Sequence, residues 1–169
     1  DRDVDEIKTL IREQLISDMR ILNDFFKSHR DLEGDFIKER DYSNSYKKIL
    51  KTLLRMSEND FTRISGLNYS VKKVDKSLAP YLSPAFYLSS PIDSDENIIY
   101  INESSRSSQD IFSLLAHEGI PGHMYQAEYF KRTKPPVIRH IINYGGYTEG
   151  WATYVEFLSY SYNYDNEVL

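Results

Sequence analysis

Helical hydrophobic periodicity occupies both ends of the sequence and gives way, between residues 69 and 102, to short β-branched and aromatic runs. Helices that flank a few strands, without regular βα alternation, point to an α+β, mostly helical fold with a small, partly antiparallel sheet. Val4, Ile7, Ile11, Leu15, Met19, Leu22 and Phe26 recur at three- and four-residue steps, which predicts a long amphipathic helix leaving at Gly34. Tyr46, Ile49, Leu50, Leu53, Leu54 and Met56 predict a second helix over 45–57, and a helical turn over 60–64 ending at Gly66 is expected to follow. Strands are expected at Tyr69–Val74 and Asn97–Asn102, with Tyr81–Asn102 forming a hairpin whose bridge is 91–96. Ser107, with Asp110 three residues on, resembles a capping box for a helix whose apolar face is Ile111, Leu114, Leu115 and Ala116. Pro121-Gly122 interrupts it, and helix resumes over 123–131. Pro135-Pro136 opens a short helix through Ile141, Gly145-Gly146 breaks it, and a last helix is expected over 148–160.

Composition narrows the chemistry. The 169 residues include no cysteine, which excludes disulfides, a thiolate nucleophile and cysteine-ligated metal. A formal charge of −5 argues against a nucleic-acid footprint. No apolar run approaches the roughly 20 residues of a membrane span. With 40% hydrophobic residues and 14 tyrosines the chain has material for a core. A metal, if bound, must be held by His, Asp or Glu.

Those residue types gather in one place. His117-Glu118-Gly119-Ile120-Pro121-Gly122-His123 is followed by Glu149 in Tyr147-Thr148-Glu149-Gly150-Trp151. Two imidazoles and a carboxylate make a three-ligand zinc site with an open fourth position, and Glu118 beside the first ligand suits a general base. The spacing is unusual. Histidines six positions apart on a regular helix are about 600° apart and so on different faces. Pro121 and Gly122 permit a break that swings His123 back toward His117.

Taken singly, each residue also has a plain structural reading. His117 can hydrogen-bond locally, Glu118 can be a solvated helix residue, and Glu149 suits a first helical turn. Glu156 reads as a structural partner on the face of Glu149, Trp151 as core, and His29 and His140 as helix-end residues. Arg139, His140, Tyr144 and Tyr147 are candidates to contact substrate or a transition-state oxyanion.

In combination, His-Glu-Gly-Ile-Pro-Gly-His at 117–123 and Glu-Gly-Trp-Ala-Thr-Tyr-Val-Glu at 149–156 resemble the bacterial family called domain of unknown function 885, grouped with zincin-like metallopeptidases. The resemblance spans roughly residues 69 to 160, including the Ile-Ile-Tyr-Ile-Asn strand. It implies one zinc ion on His117, His123 and Glu149, and Glu118 as general base. The implied reaction is peptide or small-amide hydrolysis by metal-activated water, with an exposed edge strand at 98–102 that would pair with the substrate. The alternatives are a non-catalytic zincin scaffold that binds peptide or metal, and a purely structural helical domain. Two departures stand out: Met124 replaces a histidine common in the family, and family members continue beyond the Glu-Gly-Trp helix. The chain is therefore expected to be an excised piece, inactive or weakly active alone, of a secreted or membrane-anchored bacterial parent. It divides into an N-terminal helical segment (1–66) and a partial catalytic core (67–169).

Overall fold

The computed structural model describes residues 3–30, 46–89, 95–104, 111–142 and 144–164. The chain divides into two compact units, 1–40 and 41–169. The expected boundary at 66/67 falls inside the second unit, because the second helix shares its hydrophobic core with the sheet.

In the first unit, α1 (Val4–Ser28) is defined by local signals. The Asp3 side chain accepts from the Asp5 N–H, Asp5 and Glu6 occupy the first turn, and the His29 N–H donates to the Phe25 carbonyl at the other end. None of its residues is buried. The exit expected at Gly34 lies outside the described residues, as do the Ser107–Asp110 cap and most of the 91–96 bridge.

The second unit is built on α2 (Tyr46–Ser57), three strands, β1 (Tyr69–Lys73), β2 (Ala85–Leu88) and β3 (Asn97–Ile101), and then α3 (Ile111–Glu118), α4 (His123–Arg132), α5 (Ile138–Ile141) and α6 (Gly145–Tyr164). A 3-10 turn covers Ala79–Tyr81. The strands form one mixed sheet in the order β1-β3-β2, with β1 parallel and β2 antiparallel to β3. The hairpin of β2 and β3 is as predicted.

Period-two alternation along β3 buries Asn97, Ile99 and Ile101 on one face. Ile99 and Ile101 share a core with Ile49, Leu50 and Leu53 of α2, Phe112, Leu115 and Ala116 of α3, and Ile120 and Met124. Full burial of each such aliphatic or aromatic side chain contributes about 1.5–3 kcal/mol. On the opposite face Phe86 and Tyr100, directly paired across β2 and β3, stack at 5.1 Å.

Two predicted elements differ. Residues 60–64 form no helix: after Phe61 N–H donates to Ser57 O the chain leaves the helix. Its carbonyls then go to side chains, with Thr62 O accepting from the Tyr125 hydroxyl and Ser65 O from Arg132. Gly145-Gly146 also does not separate two segments. It is the first turn of α6, where Tyr144 O accepts from the N–H groups of Tyr147 and Thr148.

Candidate metal centre

α3 is anchored by Phe112, Leu115 and Ala116, so its last two residues, His117 and Glu118, emerge at a fixed place. The chain then reverses through Gly119-Ile120-Pro121-Gly122, in which the Ile120–Pro121 peptide bond is cis, and α4 begins at His123. The reversal is tight. A Cβ on Gly122 would lie 1.8 Å from the His117 carbonyl oxygen, and one on Gly119 would lie 2.6 Å from Leu50 Cδ2 and 2.7 Å from the Leu115 carbonyl oxygen. Gly119 O accepts from Tyr125 N–H and Gly122 O from Gln126 N–H, which starts α4 directly after the turn. Six residues of sequence thereby bring two imidazole rings to 4.9 Å, nearly perpendicular at 83°.

α6 supplies the carboxylates. Glu149 Oε2 lies 3.7 Å from His117 Nε2 and 3.6 Å from His123 Nε2. One ligand atom from each of the three residues falls within 4.8 Å of the others. Two donors about 2.1 Å from a tetrahedral zinc stand roughly 3.4 Å apart, so both the donor types and the two Glu149 separations suit that ion. The histidine side chains are 19% and 16% exposed and Glu149 is 66% exposed, which leaves the cluster open on the Glu149 side.

The surroundings are polarised. Glu118 Oε2 accepts from the Tyr87 backbone N–H at 3.0 Å. Burial raises the Glu118 carboxyl above its ordinary range, against the lowering effects of the Tyr87 N–H and of His117. Burial also lowers the His123 imidazole, partly offset by Glu149. Glu156 Oε2 lies 2.9 Å from His117 Nδ1, on the side of the ring away from Nε2. α6 is fastened to the turn by the Trp151 indole N–H, which donates to Pro121 O at 2.9 Å, and to the segment after α2 by Tyr162, whose hydroxyl donates to Asp60.

His117, Glu118, His123 and Glu149 are thus brought together. The other four candidates are not. His140 packs on Phe130 with ring centroids 5.3 Å apart, Arg139 lies over the same ring, and Tyr144 and Tyr147 are 70% and 69% exposed. Among the described residues no hydrogen bond or ion pair joins these four to the cluster. The strand expected at the site needs correction: residues 98–102 do not form an edge. β3 is the central strand because β1 pairs along its other side, and Ile99, Ile101 and Asn102 are buried. The edge strand beside Glu118 is β2.

Sequence reasoning missed two participants. Tyr87 contributes a backbone N–H, for which side-chain identity gives no signal. Glu156 does share a helix face with Glu149, since seven residues rotate through about 700°, but its partner is His117. Trp151, read as core, is half-buried and holds the turn.

Among solved structures, one described as "the putative lipoprotein from Colwellia psychrerythraea" resembles the chain with a TM-score of 0.60 and 25% identity, over 68% of this chain and 20% of that one. The chain therefore spans about a fifth of that protein's length. No curated protein matches the sequence. The family described as "Bacterial protein of unknown function (DUF885)" matches residues 1–166, and the chain belongs to that family.

Proposed function

We propose that this protein is part of a zincin-like, zinc-dependent hydrolase that cleaves peptide or small amide bonds. The observation that carries the reading is the convergence of His117, His123 and Glu149 donor atoms beside the half-buried carboxylate of Glu118. His117, His123 and Glu149 would hold a zinc ion, which when bound would supply a water with pKa near 7 and polarise a carbonyl. Glu118, fixed through one oxygen by the Tyr87 N–H, takes up a proton on the other and delivers it to the leaving amine nitrogen. Burial that raises its proton affinity suits this two-way role. An extended substrate lies along the outer edge of β2, the strand that holds Glu118, by strand addition. The lipoprotein description of the solved relative supports a secreted or membrane-anchored parent.

The test is zinc stoichiometry after reconstitution, together with hydrolysis of a fluorogenic peptide mixture, on this chain and on the natural full-length protein. One zinc per chain is expected, and Glu118→Gln should keep the metal while hydrolysis falls by about 10²–10⁴-fold. Hydrolysis by Glu118→Gln at the wild-type rate, or zinc near zero, would sink the reading. Zinc and peptide bound by the full-length protein without turnover would instead identify a binding module.

A further inference from the structure

We infer that Glu156 is a positioning residue that selects the Nδ1–H tautomer of His117 and so presents the Nε2 lone pair to a metal. This inference rests on the proposed metal reading and adds a residue to it. The two edges of the His117 ring face different carboxylates. His117 Nδ1 faces Glu156 Oε2 at 2.9 Å, and His117 Nε2 faces Glu149 Oε2 at 3.7 Å, outside hydrogen-bond range. A carboxylate accepts hydrogen bonds and does not donate them, so the short contact places the ring hydrogen on Nδ1. In a neutral imidazole that leaves Nε2 bare, as a metal ligand must be. A carboxylate on the far nitrogen also fixes ring orientation and increases ligand basicity.

Glu156 has little else to do. Among the described residues no hydrogen bond or ion pair joins its side chain to any group but His117. One face of α6 therefore carries both a metal-type carboxylate, Glu149, and the group that orients the histidine opposite it.

The tautomer can be read without metal. In the metal-free 169-residue chain labelled with 15N-histidine, long-range 1H–15N correlation at pH 8 should show His117 protonated on Nδ1. Glu156→Gln, whose amide can accept or donate, should populate both tautomers while leaving the urea unfolding midpoint near wild type. Zinc affinity, measured by competition with a chromophoric chelator, should fall roughly 10–100-fold in Glu156→Gln and at least as far in Glu156→Ala. Wild-type His117 protonated on Nε2, or zinc affinity unchanged in both variants, would overturn the inference. Absence of zinc binding by the wild type would defeat the metal reading instead, and the tautomer measurement would still decide the role of Glu156.

Discussion

Gly119 and Gly122 leave no room for a side chain, whereas Gly145, Gly146 and Gly150 face open space. Both groups stand next to candidate ligands, the first between His117 and His123, the second around Glu149. The first pair is demanded by backbone packed against backbone: the chain doubles over the C-terminal carbonyls of α3 so closely that Cβ and oxygen would overlap. In the second group a Cβ would meet no heavy atom within 4 Å; its glycines begin and continue a helix. What gives a glycine structural weight is the identity of the atoms its Cβ would meet.

The comparison can be broken by experiment, the largest effect first. Gly122→Ala puts a methyl group 1.8 Å and 2.3 Å from two backbone carbonyl oxygens. We expect a loss of about 4 kcal/mol or more in urea unfolding, with zinc binding lost as His123 is displaced. A stable variant would show that the turn can open without cost. Gly119→Ala meets the flexible end of Leu50 as well as a backbone oxygen, so roughly 1–3 kcal/mol is expected. If it proved more damaging than Gly122→Ala, the distinction between backbone and side-chain obstruction would be wrong. Trp151→Phe keeps an aromatic side chain but loses the pyrrole ring and with it the donor to Pro121 O, and the hydrogen-bond loss costs about 1–2 kcal/mol by chemical denaturation.

Gly150→Ala should have the opposite sign. An exposed interior helix position with nothing near its Cβ should gain about 0.5–1 kcal/mol, visible as a raised Tm. A destabilised variant would mean α6 needs that glycine. The last expected effect is a pH slope in the metal-free protein. Burial holds the His123 pKa below its ordinary 6.5 in the folded state, so the unfolded chain binds the extra proton first. The stability contributed by neutral His123 is then complete above about 6.5 and is lost as pH falls through the lower folded value. Glu118, raised by burial, acts in reverse and loses its contribution as pH rises above its ordinary 4.5. Unfolding free energies of wild type and His123→Gln compared between pH 5 and 8 isolate the histidine: the difference should grow toward high pH. An invariant difference would remove burial of His123 from the account.

Much of this arrangement is legible in the sequence where local chemistry controls it. The four-residue step from Pro121 back to His117 is incompatible with one helix, and the β-branched and aromatic run Ile98-Ile99-Tyr100-Ile101 marks a strand, though not which of its faces is buried. Other features depend on partners far along the chain. β3 reads as exposed until β1, some residues earlier, takes its second edge. Residues 60–64 read as helical because nothing nearby reveals that Tyr125 will claim the Thr62 carbonyl and Arg132 that of Ser65, just beyond. The Glu118 partner is a main-chain N–H, which every residue but proline carries. Even periodicity is ambiguous on its own: α1 has a long apolar stripe and buries none of its residues, while eight-residue α3 buries five.

Trp151 has a consequence of its own. It is the single tryptophan of the sequence, and its indole is hydrogen-bonded to the carbonyl of the turn that delivers His123, with Tyr125 stacked at 6.5 Å and Phe61 edge-on at 5.3 Å. Its fluorescence is therefore a native gauge of whether the glutamate helix is seated on the histidine turn. Emission that shifts during refolding, or on titration with zinc, would time the assembly of the centre without any added label.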